Sequence, residues 1–144
     1  VPVPQPRHRV RVINMKGRQM GSAYIPAKHA IHRWKKVIQK AVSVEYSGPI
    51  LAGELSATLS FALPRPKSHY GTGRNCLKIK DSAPRAPTKR GSGDVDNYAK
   101  AVLDALEGVI FRDDCQFTKL VIYKVYSGHG RETGVRIMLE GWTL

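Results

Sequence analysis

The 144-residue chain carries 24 Lys and Arg against 11 Asp and Glu, a formal surplus of +13 with a pI of about 10.1. Its length fits one domain that buries a core unaided, and 42% apolar with 24% charged residues is ordinary for a globular protein. These figures exclude a membrane span, because no apolar run is long enough, and a disulfide or zinc scaffold, because Cys76 and Cys115 stand alone. A polyanionic partner and a reducing cytoplasm are the expectations.

Val1, followed by prolines at 2, 4 and 6, does not read as a signal peptide. Residues 9–14 and 20–24 predict a β-hairpin around Met15-Lys16-Gly17-Arg18. From Pro26 to about Val44 the spacing of Ile31, Trp34, Val37, Ile38, Ala41 and Val42 predicts a helix. Pro26 suits its first turn, and Lys28, Arg33, Lys35, Lys36 and Lys40 make its outer faces basic. Residues 54–63 alternate strictly, with Leu55, Ala57, Leu59, Phe61 and Leu63 on one side of a half-buried strand. A second helix is predicted over Asp96–Glu107, with Tyr98, Ala99, Val102, Ala105 and Leu106 inward and Gly108 as its stop. Residues 117–126 and 134–140 read as a second hairpin, turning near Gly128-His129-Gly130.

The stretch from Pro64 to Gly93 has no periodicity and holds four prolines, four glycines and eight Lys/Arg against one acid. A loop this long in a compact domain is usually functional or disordered. A basic flexible arm that clamps a nucleic-acid backbone is the functional expectation, with Lys67, Arg74, Lys78, Lys80, Lys89 and Arg90 on phosphates. His69 or Tyr70 would stack on a base. Gly71-Thr72-Gly73 is no phosphate loop, since no Gly-Lys-Ser/Thr follows.

Charge is unevenly spread. Residues 1–93 hold 18 Lys/Arg and three acids, whereas residues 94–144 hold six and eight, and six of those eight acids lie between Asp94 and Asp114. Such a knot would repel the phosphates that the rest attracts, unless a cation sits within it. Taken singly, each acid has a bland explanation. An Asp ahead of a helix is ordinarily an N-cap, and Asp96 with Lys100 is an i,i+4 pair worth roughly 0.2–0.5 kcal/mol. Geometry favours a group. A helix from Asp96 to Glu107 rises about 16 Å, and the six steps from Gly108 to Asp114 span about 20 Å if extended. Asp113 and Asp114 can therefore return beside Asp94 and Asp96. Mg²⁺ takes oxygen ligands, keeps waters and accepts phosphate oxygens, so it would relieve the repulsion and activate water at a phosphodiester. Lys100, one turn down from Asp96, could neutralise charge developing on that phosphate.

The run Asp94-Val-Asp96-Asn97-Tyr-Ala-Lys100, then Leu103-Asp104-Ala105-Leu106, then Phe111-Arg-Asp113-Asp114-Cys-Gln116, resembles the signature of RusA-type Holliday junction resolvases. Pro64-Arg-Pro-Lys-Ser-His-Tyr70 resembles the longer, phage-type members. The resemblance implies metal ligands at Asp94, Asp96 and Asp114, with Asp113 a further candidate, and a catalytic Lys100. It also implies Mg²⁺ with Mn²⁺ as candidate substitute, a homodimer, a four-way DNA junction as substrate, and 5′-phosphate and 3′-hydroxyl products. Two residues depart from the pattern. Gly93 stands where a basic residue or proline often precedes the first aspartate, and Tyr98 stands where leucine is usual.

Other candidates are weaker. His29 and His32 have no third ligand and read as solvent-facing or phosphate-contacting, and His8 and His129 as turn or surface residues. Trp34 reads as core, and Cys115 as a small buried thiol. No Ser/His/Asp arrangement, dinucleotide fingerprint or zinc motif is present, so no organic cofactor is expected. The expectation is therefore a single α+β domain over residues 1–144, with a mixed, largely antiparallel sheet and two main helices, forming a two-fold homodimer. Its rivals are a metal-dependent nuclease for other branched DNA or RNA, and a non-catalytic basic DNA-binding protein.

Overall fold

The computed structural model describes residues 1–6, 9–15, 18–128 and 132–141, with 9–15 and 18–24 described by backbone alone. Seven elements follow in order: β1 (Arg9–Met15), β2 (Arg18–Tyr24), α1 (Ala30–Glu45), β3 (Leu55–Leu63), α2 (Val95–Leu106), β4 (Phe117–Tyr126) and β5 (Gly134–Gly141). β1 and β2 pair antiparallel from Arg9 opposite Tyr24 to Met15 opposite Arg18, as the sequence predicts. The expected turn residues Lys16 and Gly17, and also His8 and His129, lie outside the described residues.

β3 is the centre of the main sheet. Its alternation buries Leu55, Ala57, Leu59, Phe61 and Leu63 on one face and leaves the intervening residues half-buried. β4 and β5 do not pair with each other, which corrects the second predicted hairpin. The sheet order is β4-β3-β5, with β4 parallel to β3 and β5 antiparallel. Two strands joined by a short link look like a hairpin in sequence. Yet stepping over one intervening strand needs only about 10 Å, well within the reach of residues 127–133. The parallel β3–β4 pair in turn needs a long crossover, which the 64–116 segment with α2 supplies.

Both helices cover the apolar face of β3. Trp34, Phe61 and Tyr98 link α1, the sheet and α2 through ring contacts at 6.4 and 5.2 Å between centroids. Ile31, Leu59, Phe61, Val102, Leu106 and Phe111 are fully buried, each contributing roughly 1.5–3 kcal/mol of hydrophobic stabilisation. Trp34 is core, as its spacing predicts. α1 begins four residues later than Pro26 suggests. The Pro26 carbonyl accepts the His29 N–H in a turn, and His29 Nδ1 caps the helix by accepting the Ile31 N–H at 3.1 Å. His29 is therefore a cap, whereas His32 is exposed.

Candidate active site

α2 carries most of the acidic motif, and its inward face is fixed by packing: Tyr98, Ala99, Ala101, Val102, Leu103, Ala105 and Leu106 are buried. That leaves Asp94, Asp96 and Lys100 exposed on the other side. Asp94 occupies the N-cap position, but its side chain makes no capping hydrogen bond. Asp96 makes no ion pair with Lys100. The Lys100 Nζ instead donates to Asp104 Oδ1 at 3.4 Å, while Lys35 Nζ meets Asp104 Oδ2 at 3.0 Å. The expected Asp96–Lys100 pair is therefore replaced by one between Lys100 and Asp104. Neither bland role is what Asp94 and Asp96 do.

The return from α2 follows the predicted route. Gly108 adopts φ +72°, a left-handed conformation that L side chains rarely take, and its N–H donates to the Phe111 carbonyl at 2.8 Å. Ile110 and Phe111 then plug the core, the Phe111 ring standing edge-on to Phe117 at 4.8 Å. With the chain pinned there, Asp113 and Asp114 arrive at the start of β4.

A cleft of about 240 Å³ opens between α2 and β4, lined by Asp96, Ala99, Lys100, Leu103, Asp114, Leu120 and Ile122. Asp96, Lys100 and Asp114, separated by up to 18 positions in sequence, thus share one concavity with an apolar floor. Asp94 and Asp113 do not line it. A larger groove of about 840 Å³ runs between α1 and β5, but Trp34, Ile38, Ile137 and Leu139 dominate it and none of the motif aspartates reaches it. The chemistry-bearing groups belong to the smaller cleft.

Asp113 is otherwise engaged. It caps the single 3-10 turn Asp114–Gln116, accepting the Cys115 N–H at 2.9 Å, while Gln116 Oε1 accepts the Asp113 N–H at 3.0 Å. Those bonds from Cys115 hold the Asp113 carboxyl below its ordinary value. The Gln116 amide also donates to the Leu51 and Gly53 carbonyls, tying the turn to the segment before β3. Cys115 is exposed, which corrects the expected buried thiol, and its contact with Asp113 pushes its pKa up. A thiol kept protonated in this way is a poor nucleophile.

Among the described residues no three His, Cys, Asp or Glu side chains stand together as a ready metal cage. Two carboxylates across an open cleft nonetheless suit a hard dication that keeps waters and takes phosphate oxygens.

The 64–93 segment has more internal order than its lack of periodicity predicts. Tyr70 bridges Ile79, the Lys80 N–H donates to the His69 carbonyl at 2.9 Å, and Arg65 donates to the Pro84 and Arg85 carbonyls. The Arg65 guanidinium lies 4.4 Å over the Tyr126 ring, and His69 stands edge-on to the same ring at 5.4 Å. His69 is buried, so it cannot stack on a base as expected. Burial first, then Lys89, Arg65 and Lys80, hold it below the ordinary histidine value. Lys67, Arg74, Lys78, Lys80, Lys89 and Arg90 are all exposed, as a phosphate-binding role requires.

Sequence reasoning missed Asp104, the acceptor for Lys35, Lys100 and Gln5, although its place inside the motif was a signal. It also missed Lys124, whose ammonium donates to Ser92 Oγ and the Gly93 carbonyl; only its charge within the apolar second half of β4 marked it out.

Residues 1–140 match the family described as "Endodeoxyribonuclease RusA". The chain belongs to that family. The RusA match takes in every element above but the last residue of β5, including both sides of the cleft. The chain is also similar to a Bacillus subtilis (strain 168) protein named "Uncharacterized protein YqaN", with 32% identity over 107 residues, or 74% of this chain and 71% of that one. No helix among the described residues is long and apolar enough to cross a membrane.

Proposed function

We propose that this RusA-family chain is a Mg²⁺-dependent endonuclease that resolves four-way DNA junctions by paired phosphodiester hydrolysis. The observation that carries the reading is the shared cleft of Asp96, Lys100 and Asp114. Among the described residues neither carboxylate forms an ion pair, and both open onto the cleft, so they are available to a cation. Asp96 and Asp114 would hold the metal, with Asp94 contributing from the head of the same helix. When bound, Mg²⁺ supplies an activated water and charge neutralisation at the phosphate, and Mn²⁺ is the candidate substitute.

The chain's own groups do the rest. Lys100 Nζ is held by Asp104, which keeps the ammonium beside the cleft, where it can stabilise a phosphate oxygen as charge accumulates. The apolar floor of Ala99, Leu103, Leu120 and Ile122 lowers the local dielectric on one side of that interaction. Lys67, Arg74, Lys78, Lys80, Lys89 and Arg90 would track the phosphate backbone. The outer face of the sheet, opposite the helices, presents Tyr123, Val125 and Met138 to solvent, which favours a second copy as partner. A two-fold dimer would set two identical sites against the two-fold symmetry of a junction.

The test is incubation with a synthetic four-way junction, its linear arms, flapped and nicked duplexes and an RNA counterpart, with and without Mg²⁺. Symmetric paired cuts confined to the four-way junction and to the metal-containing reactions are expected. Cutting of every branched substrate would make the chain a broader structure-specific nuclease. Tight binding without metal-dependent cutting would make it a non-catalytic DNA-binding protein.

A further inference from the structure

Asp94 follows a glycine in an unusual conformation. Gly93 has φ +81°, and a Cβ built there would lie 2.7 Å from the Tyr98 ring. The position is thus closed to other residues twice over, by backbone strain and by the ring. Tyr98 itself is buried against Phe61, and its hydroxyl donates to the Ser92 carbonyl at 3.0 Å. On the other side of the same two residues lies Lys124, from the middle of β4. Its ammonium donates to Ser92 Oγ at 3.2 Å and to the Gly93 carbonyl. Ser92 Oγ donates in turn to the carbonyl of Pro87, which is fully buried.

Lys124 is half-buried, and among the described residues it forms no ion pair. A half-buried ammonium without a carboxylate carries a desolvation cost, and hydrogen bonds to neutral oxygens offset it only in part. Its two acceptors belong to the two residues immediately before Asp94. The Tyr98 ring fills the space that a side chain at position 93 would take.

We infer that Ser92, Gly93, Tyr98 and Lys124 form a latch that fixes the backbone entering α2, and that Lys124 is a positioning residue for Asp94 and the carboxylates after it. The inference rests on the proposed active site for its catalytic consequence, but not for its structural one. Lys124 lies on β4, the strand that supplies Leu120 and Ile122 to the cleft, so the latch ties the two walls of the site together. A local strand-to-helix tie of this kind sets where a carboxylate can point. A misplacement of about 1 Å is enough to cost a hundredfold in rate.

The test compares Lys124→Met, Lys124→Arg and Tyr98→Phe with the wild-type protein by three readouts. These are amide hydrogen exchange at Ser92 and Tyr98, four-way-junction affinity without divalent metal, and single-turnover cleavage as a function of Mg²⁺ concentration. For Lys124→Met the inference expects the Ser92 and Tyr98 amides, which donate to the Lys89 and Asp94 carbonyls, to exchange at least tenfold faster, with the α2 amides from Ala99 onward unchanged. The Mg²⁺ midpoint should rise about tenfold and the maximal rate fall about a hundredfold, with affinity altered less than threefold. Lys124→Arg, which keeps the donors, should recover most of both losses. Tyr98→Phe keeps the ring and should give a smaller change in the same direction, and it serves if Lys124→Met does not fold. Unchanged exchange at both Ser92 and Tyr98 in a folded variant overturns the latch whatever the activity. A loss of affinity with an unchanged Mg²⁺ midpoint makes Lys124 a DNA-binding residue instead, and overturns it too. Faster exchange in a protein whose wild type cuts no substrate upholds the latch and sinks only the proposed function.

Discussion

Four aspartates of one motif meet two different fates. Asp104 and Asp113 are engaged: the first receives Lys35, Lys100 and Gln5, the second caps a 3-10 turn. Among the described residues Asp96 and Asp114 have neither an ion pair nor a capping role, and they share an open cleft with Lys100. The engaged pair stands where the chain needs support, at the α1–α2 contact and at the entrance to β4. The open pair stands at the cleft between α2 and β4. Two carboxylates lining one cleft are what the proposed metal would occupy. The difference between the two pairs separates building from chemistry within a single signature.

Lys100 joins the two groups, since it is held by an engaged acid and faces the open ones. Lys100→Ala should lower single-turnover cleavage of a four-way junction by about a hundredfold or more. Its thermal stability should hardly move, because the exposed Lys100–Asp104 pair contributes roughly 0.5 kcal/mol or less. A large drop in melting temperature with cleavage intact would move Lys100 to the structural side.

The basic segment comes next in size. Neutralising Lys67, Arg74, Lys78, Lys89 and Arg90 together should flatten the plot of log affinity against log salt, by about 0.9 for each phosphate that is no longer neutralised. Filter binding over a salt series measures it, and an unchanged slope in the folded variant would make the segment a bystander.

Asp113→Ala probes an engaged acid. Losing a cap should lower the melting temperature by a few degrees, with cleavage within a few-fold of wild type at permissive temperature. Because its bonds hold the Asp113 carboxyl below the ordinary 3.8, its stabilisation is complete above that pH and is lost as pH falls through the folded value. Acid titration of stability in wild type and variant should therefore converge below that point. Abolished cleavage in a stable variant would instead place Asp113 among the metal ligands.

The smallest effect expected is at His69. The folded protein binds its proton less readily than the unfolded chain, whose histidines titrate near 6.5. Its contribution is therefore complete above about that value and declines as pH falls through the lower folded pKa. Denaturant midpoints from pH 7.5 to 5 should decline in wild type and decline less in His69→Phe. Equal slopes would contradict the buried, cation-ringed setting.

Much of this was legible in the sequence. Alternation at 54–63 gave β3 to within a residue, and the 3.6-residue stripe gave the buried face of α2, because both signals are local. Chain length made the return of Asp114 toward Asp96 legible, whereas the expected company of Asp94 and Asp113 does not line their cleft. What failed was non-local. Strand order was misread because a short link is compatible with either a hairpin or a step over β3. The 64–93 segment lacks periodicity, yet it is ordered by single contacts at Arg65, His69 and Pro87 that no pattern announces. Lys100 could reach an acid on either side, at Asp96 or Asp104, and Lys35 and Gln5 from distant segments favour Asp104 as the shared acceptor.

The most direct measurement is side-by-side cleavage of a synthetic four-way junction in Mg²⁺ by wild type, Asp96→Asn and Asp104→Asn, with melting temperature and metal-free junction affinity recorded for each. The account predicts that Asp96→Asn keeps wild-type stability and binds the junction at least as tightly, yet cuts more than a thousandfold more slowly. Asp104→Asn should lose stability and retain cleavage within roughly tenfold. Asp96→Asn with near-normal cleavage, or Asp104→Asn as the inactive and stable one of the two, would contradict it.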